Sequence, residues 1–113
     1  MNIVIIGTGY VGLVTGVGLA SLGNTVDFID LDENKIEDLS DKKITFYEPG
    51  LAEYFNDDET FKRMSFSSDY ASIEWDNIDI VFVCVQTPNN IETNSVDTKF
   101  LESAIKEINN VNN

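Results

Sequence analysis

Ile3-Val4-Ile5-Ile6-Gly7-Thr8-Gly9-Tyr10-Val11-Gly12 decides the fold. Four consecutive branched apolar residues mark a strand buried on both faces, and they stop at glycine where such a strand turns. Gly7, Gly9 and Gly12 match G-x-G-x-x-G, and each glycine has a physical task. Gly7 permits the tight turn out of the strand, Gly9 lets backbone approach a pyrophosphate with no Cβ in the way, and Gly12 lets the following helix lie close to the strand. Backbone N–H groups near Tyr10 and Val11, at the positive end of that helix, are expected to hold the anion.

Small and apolar residues from Gly12 to Leu22 suit a helix buried around much of its circumference, ending at Gly23-Asn24 in a left-handed cap. Gly16 and Gly18 lie inside it, each costing up to about 1 kcal/mol relative to alanine. Close packing of the helix on a sheet is the expected compensation. Thr25 to Asp30 reads as the second strand, and Asp32 as the cap of a short helix carrying Ile36 and Leu39.

A lone glycine fingerprint is a weak signal, but here it follows a buried strand, opens a helix and lies 18 residues before Asp30, close to the spacing of about 20 for a ribose-binding acid. Asp30 can accept from both hydroxyls of an adenosine ribose, and its charge repels the extra phosphate of NADP, so NAD is favoured. Asp32 competes for the role. Lys35 lies near the same edge, where reaching the ribose or adenine and simple solvation are equally open.

Farther along, Pro49 fits the first turn of a helix carrying Leu51, Tyr54 and Phe55. Phe61 to Phe66 reads as a short strand, Ser67 or Ser68 as the cap of a helix running to about Trp75, and Ile78 to Val85 as the strongest strand. Asp97 should cap a helix whose apolar face is Phe100, Leu101, Ala104, Ile105 and Ile108, with Asn109 to Asn113 patternless. Alternating strands and helices predict an α/β fold: a Rossmann-like, partly wound parallel sheet in the order 3-2-1-4, incomplete for want of later strands. Its fourth strand should have an unprotected edge. Ligands bind beyond the strand ends where strand order reverses, which places Gln86-Thr87-Pro88 on the rim. Thr87 either bonds the nicotinamide-side phosphate or ribose, or is a turn residue that contacts nothing.

The chain has 113 residues, enough for one core and too few for a cofactor domain plus a substrate domain. Its net charge of -13 repels phosphate backbones and anionic lipid, which argues against nucleic acid and membrane surfaces as partners. One cysteine and no histidine leave neither an internal disulfide nor a Cys/His metal site. Without a basic leader or an apolar span, a cytoplasmic location is expected. Cys84 sits among Phe82, Val83 and Val85 with no histidine to activate it, and reads as a buried, inert thiol.

Taken together, Gly7 to Gly16, Asp30-Leu31-Asp32 with Lys35-Ile36, Tyr47-Glu48-Pro49-Gly50-Leu51 and Val81 to Pro88 resemble, in order, the N-terminal part of the UDP-glucose/GDP-mannose dehydrogenases. The Tyr47 form of the third segment is most similar to the UDP-glucose 6-dehydrogenase branch. The resemblance implies that residues 1–113 are the N-terminal part of an NAD-binding Rossmann domain. It implies that Gly7, Gly9, Tyr10, Val11 and Gly12 hold the pyrophosphate, Asp30 and Lys35 the adenosine ribose, and Thr87 the nicotinamide side, with Glu48 in a loop on the sugar-nucleotide side. The family oxidises a sugar C6 alcohol to a carboxylate in two NAD-dependent hydride transfers through a cysteine thiolate. That cysteine's motif is not in these residues, so no catalytic residue is assigned, and the chain alone is expected to be inactive, with the nucleotide sugar bound only in the complete enzyme. Family oligomers form through regions absent here, which leaves a homo-oligomer as a possibility. Two rival readings are a standalone NAD-sensing regulatory module, for which the Glu48-Pro49-Gly50-Leu51 segment has no use, and, more weakly, a methyltransferase.

Overall fold

The structure is a computed structural model, described at residues 1–44, 46–85, 89–90, 95–96 and 98–111. Gln86, Thr87, Pro88 and Asp97, singled out above, lie outside the described residues. Four strands form one parallel sheet: β1 (Asn2–Ile6), β2 (Thr25–Ile29), β3 (Met64–Ser67) and β4 (Ile80–Val83). Their order is β3-β2-β1-β4, the order expected from the alternation of elements. The registers Ile5 to Phe28 and Ile5 to Phe82 place β1 at the centre, and a two-residue antiparallel pair, β5 (Asn89–Asn90) with β6 (Ser95–Val96), follows. The outer edge of β4 is unpaired among the described residues.

Period-two alternation divides β1 between two cores. Ile3 and Ile5 face α1 (Tyr10–Ser21) and pack with Leu13, Val17, Ala20, Phe28 and Phe55, while Val4 and Ile6 face the other side with Ile29, Tyr70, Ile73 and Ala104. Ile3, Val4, Ile5 and Ile6 are each at most 2% exposed, and full burial of such a side chain stabilises by about 1.5–3 kcal/mol. On the first face, α1 is joined by α2 (Glu33–Ser40), α3 (Leu51–Phe55) and α4 (Asp58–Lys62). On the second lie two 3-10 turns, Tyr70–Ser72 and Trp75–Asn77, and α5 (Lys99–Val111).

Helix α1 ends in a Schellman arrangement: Gly23 has φ of 102° and its N–H donates to Ala20, while the N–H of Asn24 donates to Leu19. Gly16 is a close-packing glycine, because a Cβ there would stand 2.3 Å from the Phe28 ring. Gly18 is not. It is exposed, and a Cβ there would meet nothing within 4 Å. Two residues span about 200° of helix, so both glycines cannot face one sheet. Gly18→Ala should therefore raise stability by about 0.5–1 kcal/mol, read as a higher urea midpoint at unchanged m-value; a lower midpoint would show a constraint at Gly18 that the packing lacks.

Several boundaries differ from the sequence reading. Pro49 precedes α3 instead of opening it, because Gly50, at φ of 83°, is the N-cap residue. Phe61 lies in α4, not in a strand, since Asp57 caps that helix by accepting from the Thr60 N–H at 3.0 Å. Phe61 consequently packs edge-on against Phe55, and β3 starts at Met64. The helix expected after Ser67 is replaced by the two 3-10 turns. Asp69 caps the first through the Ala71 N–H, and Ser67 and Ser72 bond locally, which competes with helix propagation. The last helix runs through Asn109 and Asn110 to Val111, which packs on the second core. Its apolar face is only partly covered: Ala104 is buried, whereas Phe100 and Ile105 are exposed.

Candidate functional site

Three turns meet at the carboxyl ends of β1, β2 and β4. Gly7 leaves β1 at φ of 99° and donates its N–H to Ile29 at 2.7 Å. A Cβ at Gly7 would lie 2.5 Å from the Cys84 carbonyl oxygen, and one at Gly12 would lie 2.0 Å from the Gly7 carbonyl oxygen. The first and third fingerprint glycines thus close the turn and seat the helix as expected. Gly9 differs in kind, because a Cβ there would meet no protein atom within 4 Å. The space beside Gly9 is open to a ligand.

Gly9 is also the N-cap of α1 and offers no side-chain cap, and the first turn carries no acid. The N–H groups of Tyr10 and Val11 find no acceptor among the described residues. In a chain of net charge -13, a helix N-terminus with no acid in its first turn and no side-chain cap suits an anionic group such as a pyrophosphate.

Asp30 sits directly after β2, and its carboxylate ties the two turns together. Oδ2 accepts from the Thr8 N–H at 2.9 Å and the Thr8 hydroxyl at 2.7 Å, and Oδ1 accepts from the Asp32 N–H at 3.0 Å. Burial pushes the Asp30 carboxyl up, but the amide of Asp32, the amide and hydroxyl of Thr8 and the charge of Lys35 outweigh it and hold the group below its ordinary range. Asp30 is therefore ionised at neutral pH. Three of about four acceptor directions of a carboxylate are used internally, leaving one on Oδ1 for a ligand. Asp32 caps α2, its Oδ1 accepting from the Asn34 and Lys35 N–H groups, and it lines the same cavity as Asp30.

A cavity of about 300 Å³ opens beside these turns, between Asp30, Leu31 and Lys35 on one flank and Phe100, Ala104 and Glu107 of α5 on the other. Its volume is at the low end of the roughly 300–1,000 Å³ of small-molecule sites, a size that suits one half of a dinucleotide. Tyr70 and Cys84 also line it. Cys84 is half-buried rather than fully buried, and desolvation pushes its thiol upward, so it remains protonated and unreactive.

On the opposite flank, the Tyr10 hydroxyl donates to Glu48 at 2.5 Å and its ring lies 5.5 Å from that of Phe46. That bond and the adjacent carboxylate charge raise the Tyr10 pKa, with a contribution from desolvation. This bond joins the loop that carries Glu48 to the glycine turn.

A profile of the UDP-glucose/GDP-mannose dehydrogenase family, NAD binding domain, matches residues 1–113. The chain belongs to this family. Among relatives of this NAD-binding domain, UDP-glucose 6-dehydrogenase TuaD of Bacillus subtilis is 40% identical over 107 residues, covering 95% of the chain and 23% of that enzyme. An uncharacterised Methanocaldococcus jannaschii protein, MJ1054, is 42% identical over 108 residues, 96% of the chain and 12% of its own length. The GDP-mannose dehydrogenase of Pseudomonas aeruginosa, solved as a ternary complex, superposes with a TM-score of 0.86 at 31% identity, over 96% of the chain and 24% of that structure. The domain thus spans about a quarter or less of the proteins it matches. Its cofactor is NAD, and its Rossmann-like sheet is that of the dehydrogenases.

Fingerprint glycines, Asp30 and Lys35 are brought to one place by the fold, and Thr87 lies outside the described residues. Thr8, Tyr70, Phe100 and Glu107 were not foreseen. Thr8 carried a local signal, as a hydroxyl between two fingerprint glycines, whereas the other three reach the cavity only through the packing of the first 3-10 turn and α5 on the second sheet face.

Proposed function

We propose that the described cavity and the α1 N-terminus are the adenosine and pyrophosphate halves of the NAD site of a nucleotide-sugar dehydrogenase. Gly7 and Gly12 hold the turn, and Gly9, Tyr10 and Val11 receive the pyrophosphate on backbone. Asp30 takes a ribose hydroxyl on Oδ1, Lys35 lies beside it, and Thr87 serves the nicotinamide side. NAD, when bound, supplies the hydride acceptor for oxidation of an alcohol. The observation that carries this reading is the one open glycine of the fingerprint, Gly9, at a helix N-terminus without a side-chain cap beside an ionised acid at the end of β2.

Relatives named UDP-glucose 6-dehydrogenase support a UDP-sugar C6 alcohol as the substrate, oxidised to the carboxylate in a complete, cytoplasmic enzyme whose remaining parts supply the catalytic cysteine and the contacts between subunits. No helix among the described residues is long and apolar enough to cross a membrane. By this proposal, residues 1–113 bind cofactor without turnover of their own.

Calorimetric titration of the chain with NAD, NADP and S-adenosylmethionine tests the site. Binding of NAD with a preference of at least about tenfold over NADP is expected from the placement of a negative charge at the ribose edge. Heat with S-adenosylmethionine alone would overturn the proposal.

A further inference from the structure

Tyr70 is 6% exposed, yet its hydroxyl has no hydrogen-bond partner among the described residues. Among the described residues no buried side-chain oxygen or nitrogen lacks a partner, so this hydroxyl is the part of the side chain that still reaches solvent, where a ligand can take it up. The ring is fixed from behind: it stacks on Trp75 at 6.5 Å between centroids, and Trp75 Nε1 donates to the Tyr70 carbonyl at 2.9 Å. Its free end borders the cavity, whose walls carry Asp30, Asp32 and Glu107 against one cationic side chain, Lys35. Phe100 and Ala104 supply an apolar wall.

We propose that Tyr70 and Glu107 read the purine of the bound dinucleotide, the Tyr70 hydroxyl donating to a ring nitrogen of adenine while the Glu107 carboxylate accepts from its 6-amino group. The proposal rests on the reading of the cavity as the adenosine half of the NAD site. Adenine presents an amine beside a ring-nitrogen acceptor, the complement of a phenol donor beside a carboxylate. Hypoxanthine turns a 6-oxo group toward the same carboxylate and is repelled. Burial, together with the charges of Glu107 and Asp30, pushes the phenol pKa up, so the hydroxyl is a donor across the physiological range. Tyr70 is a specificity-determining residue here and not a catalytic one.

Titrating the whole chain with NAD and with nicotinamide hypoxanthine dinucleotide tests the assignment. Wild type should prefer NAD by about tenfold or more, the scale of one charge-assisted hydrogen bond. Tyr70→Phe should bind NAD about fivefold more weakly while its ligand-free thermal midpoint holds or rises, because the hydroxyl has no protein partner to lose. Glu107→Gln should narrow the preference between the two dinucleotides. Equal NAD affinity in Tyr70→Phe, or a drop in ligand-free stability with the dinucleotide preference intact, overturns the role of Tyr70. If NAD binding responds to Asp30→Ala but not to Tyr70→Phe, this inference fails and the cavity reading stands. A wild-type chain that takes up no NAD overturns both.

Discussion

Gly12→Ala should cost the domain about 3 kcal/mol of stability, whereas Gly9→Ala should leave the fold nearly intact and remove most cofactor affinity. At Gly12 the new Cβ would stand 2.0 Å from the Gly7 carbonyl oxygen and 3.2 Å from Ile5 Cγ2. The carbonyl belongs to a turn pinned by the Gly7 N–H on Ile29 and crowded by the Cys84 carbonyl. It cannot swing away without opening β1 from its neighbours. Overpacking of this kind costs about 1–3 kcal/mol or more, which for a domain of this size lowers the thermal midpoint by roughly 10–20 °C. At Gly9 the backbone is extended, with φ of -72°, and a Cβ meets nothing. The change costs under about 1 kcal/mol as a lost favourable N-cap, but the methyl fills the space assigned to the pyrophosphate. Scanning calorimetry of the two variants, with and without NAD, separates the roles; equal stability losses would show that the three glycines are merely a turn.

The contrast explains how far the sequence was readable. What Ile3 to Gly12 does follows from local rules: a branched run with no polar break must be buried on both sides, and the fingerprint spacing fits one turn geometry. Asp30 and the Asp32 cap are equally local, because strand length and capping chemistry set their positions. Phe61 was misread because aromatic content favours a strand, while the Asp57 side chain three residues before Thr60 had already started a helical turn. The serine-rich stretch after β3 was misread for the converse reason, since hydroxyls that cap can also satisfy backbone one turn at a time. Gly18 needed only the 3.6-residue period to be separated from Gly16. Tyr70, Phe100 and Glu107 had no such signal. Their meeting depends on how α5 and the first 3-10 turn pack over Val4, Ile6 and Ile29, and no periodicity within any one segment encodes that.

Asp30→Ala is expected to weaken NAD binding about 10–100-fold and to lower stability by about 1–3 kcal/mol, because one carboxylate serves both. Its removal orphans the N–H and hydroxyl of Thr8, which is 5% exposed, and unpaired buried groups cost about that amount. The same removal deletes the one acceptor direction on Oδ1 open to the ribose and the charge that repels a 2′-phosphate, so preference for NAD over NADP should relax. Asp30→Asn separates the effects. Its amide oxygen can still accept from Thr8, which preserves part of the stability, but the neutral group no longer repels NADP. The pH dependence carries a further signature. Despite the upward push of burial, hydrogen bonds from Asp32 and Thr8 and the charge of Lys35 depress the Asp30 carboxyl in the folded chain. A depressed folded value gives stability that is complete above the unfolded pKa of about 3.9 and is lost as pH falls through the folded one. Urea midpoints of wild type and Asp30→Ala should accordingly be far apart at neutral pH and converge in acid. Identical midpoints at pH 7, or titrations with NAD and NADP unchanged by the substitution, would place the ribose elsewhere and leave Asp30 a solvated carboxylate.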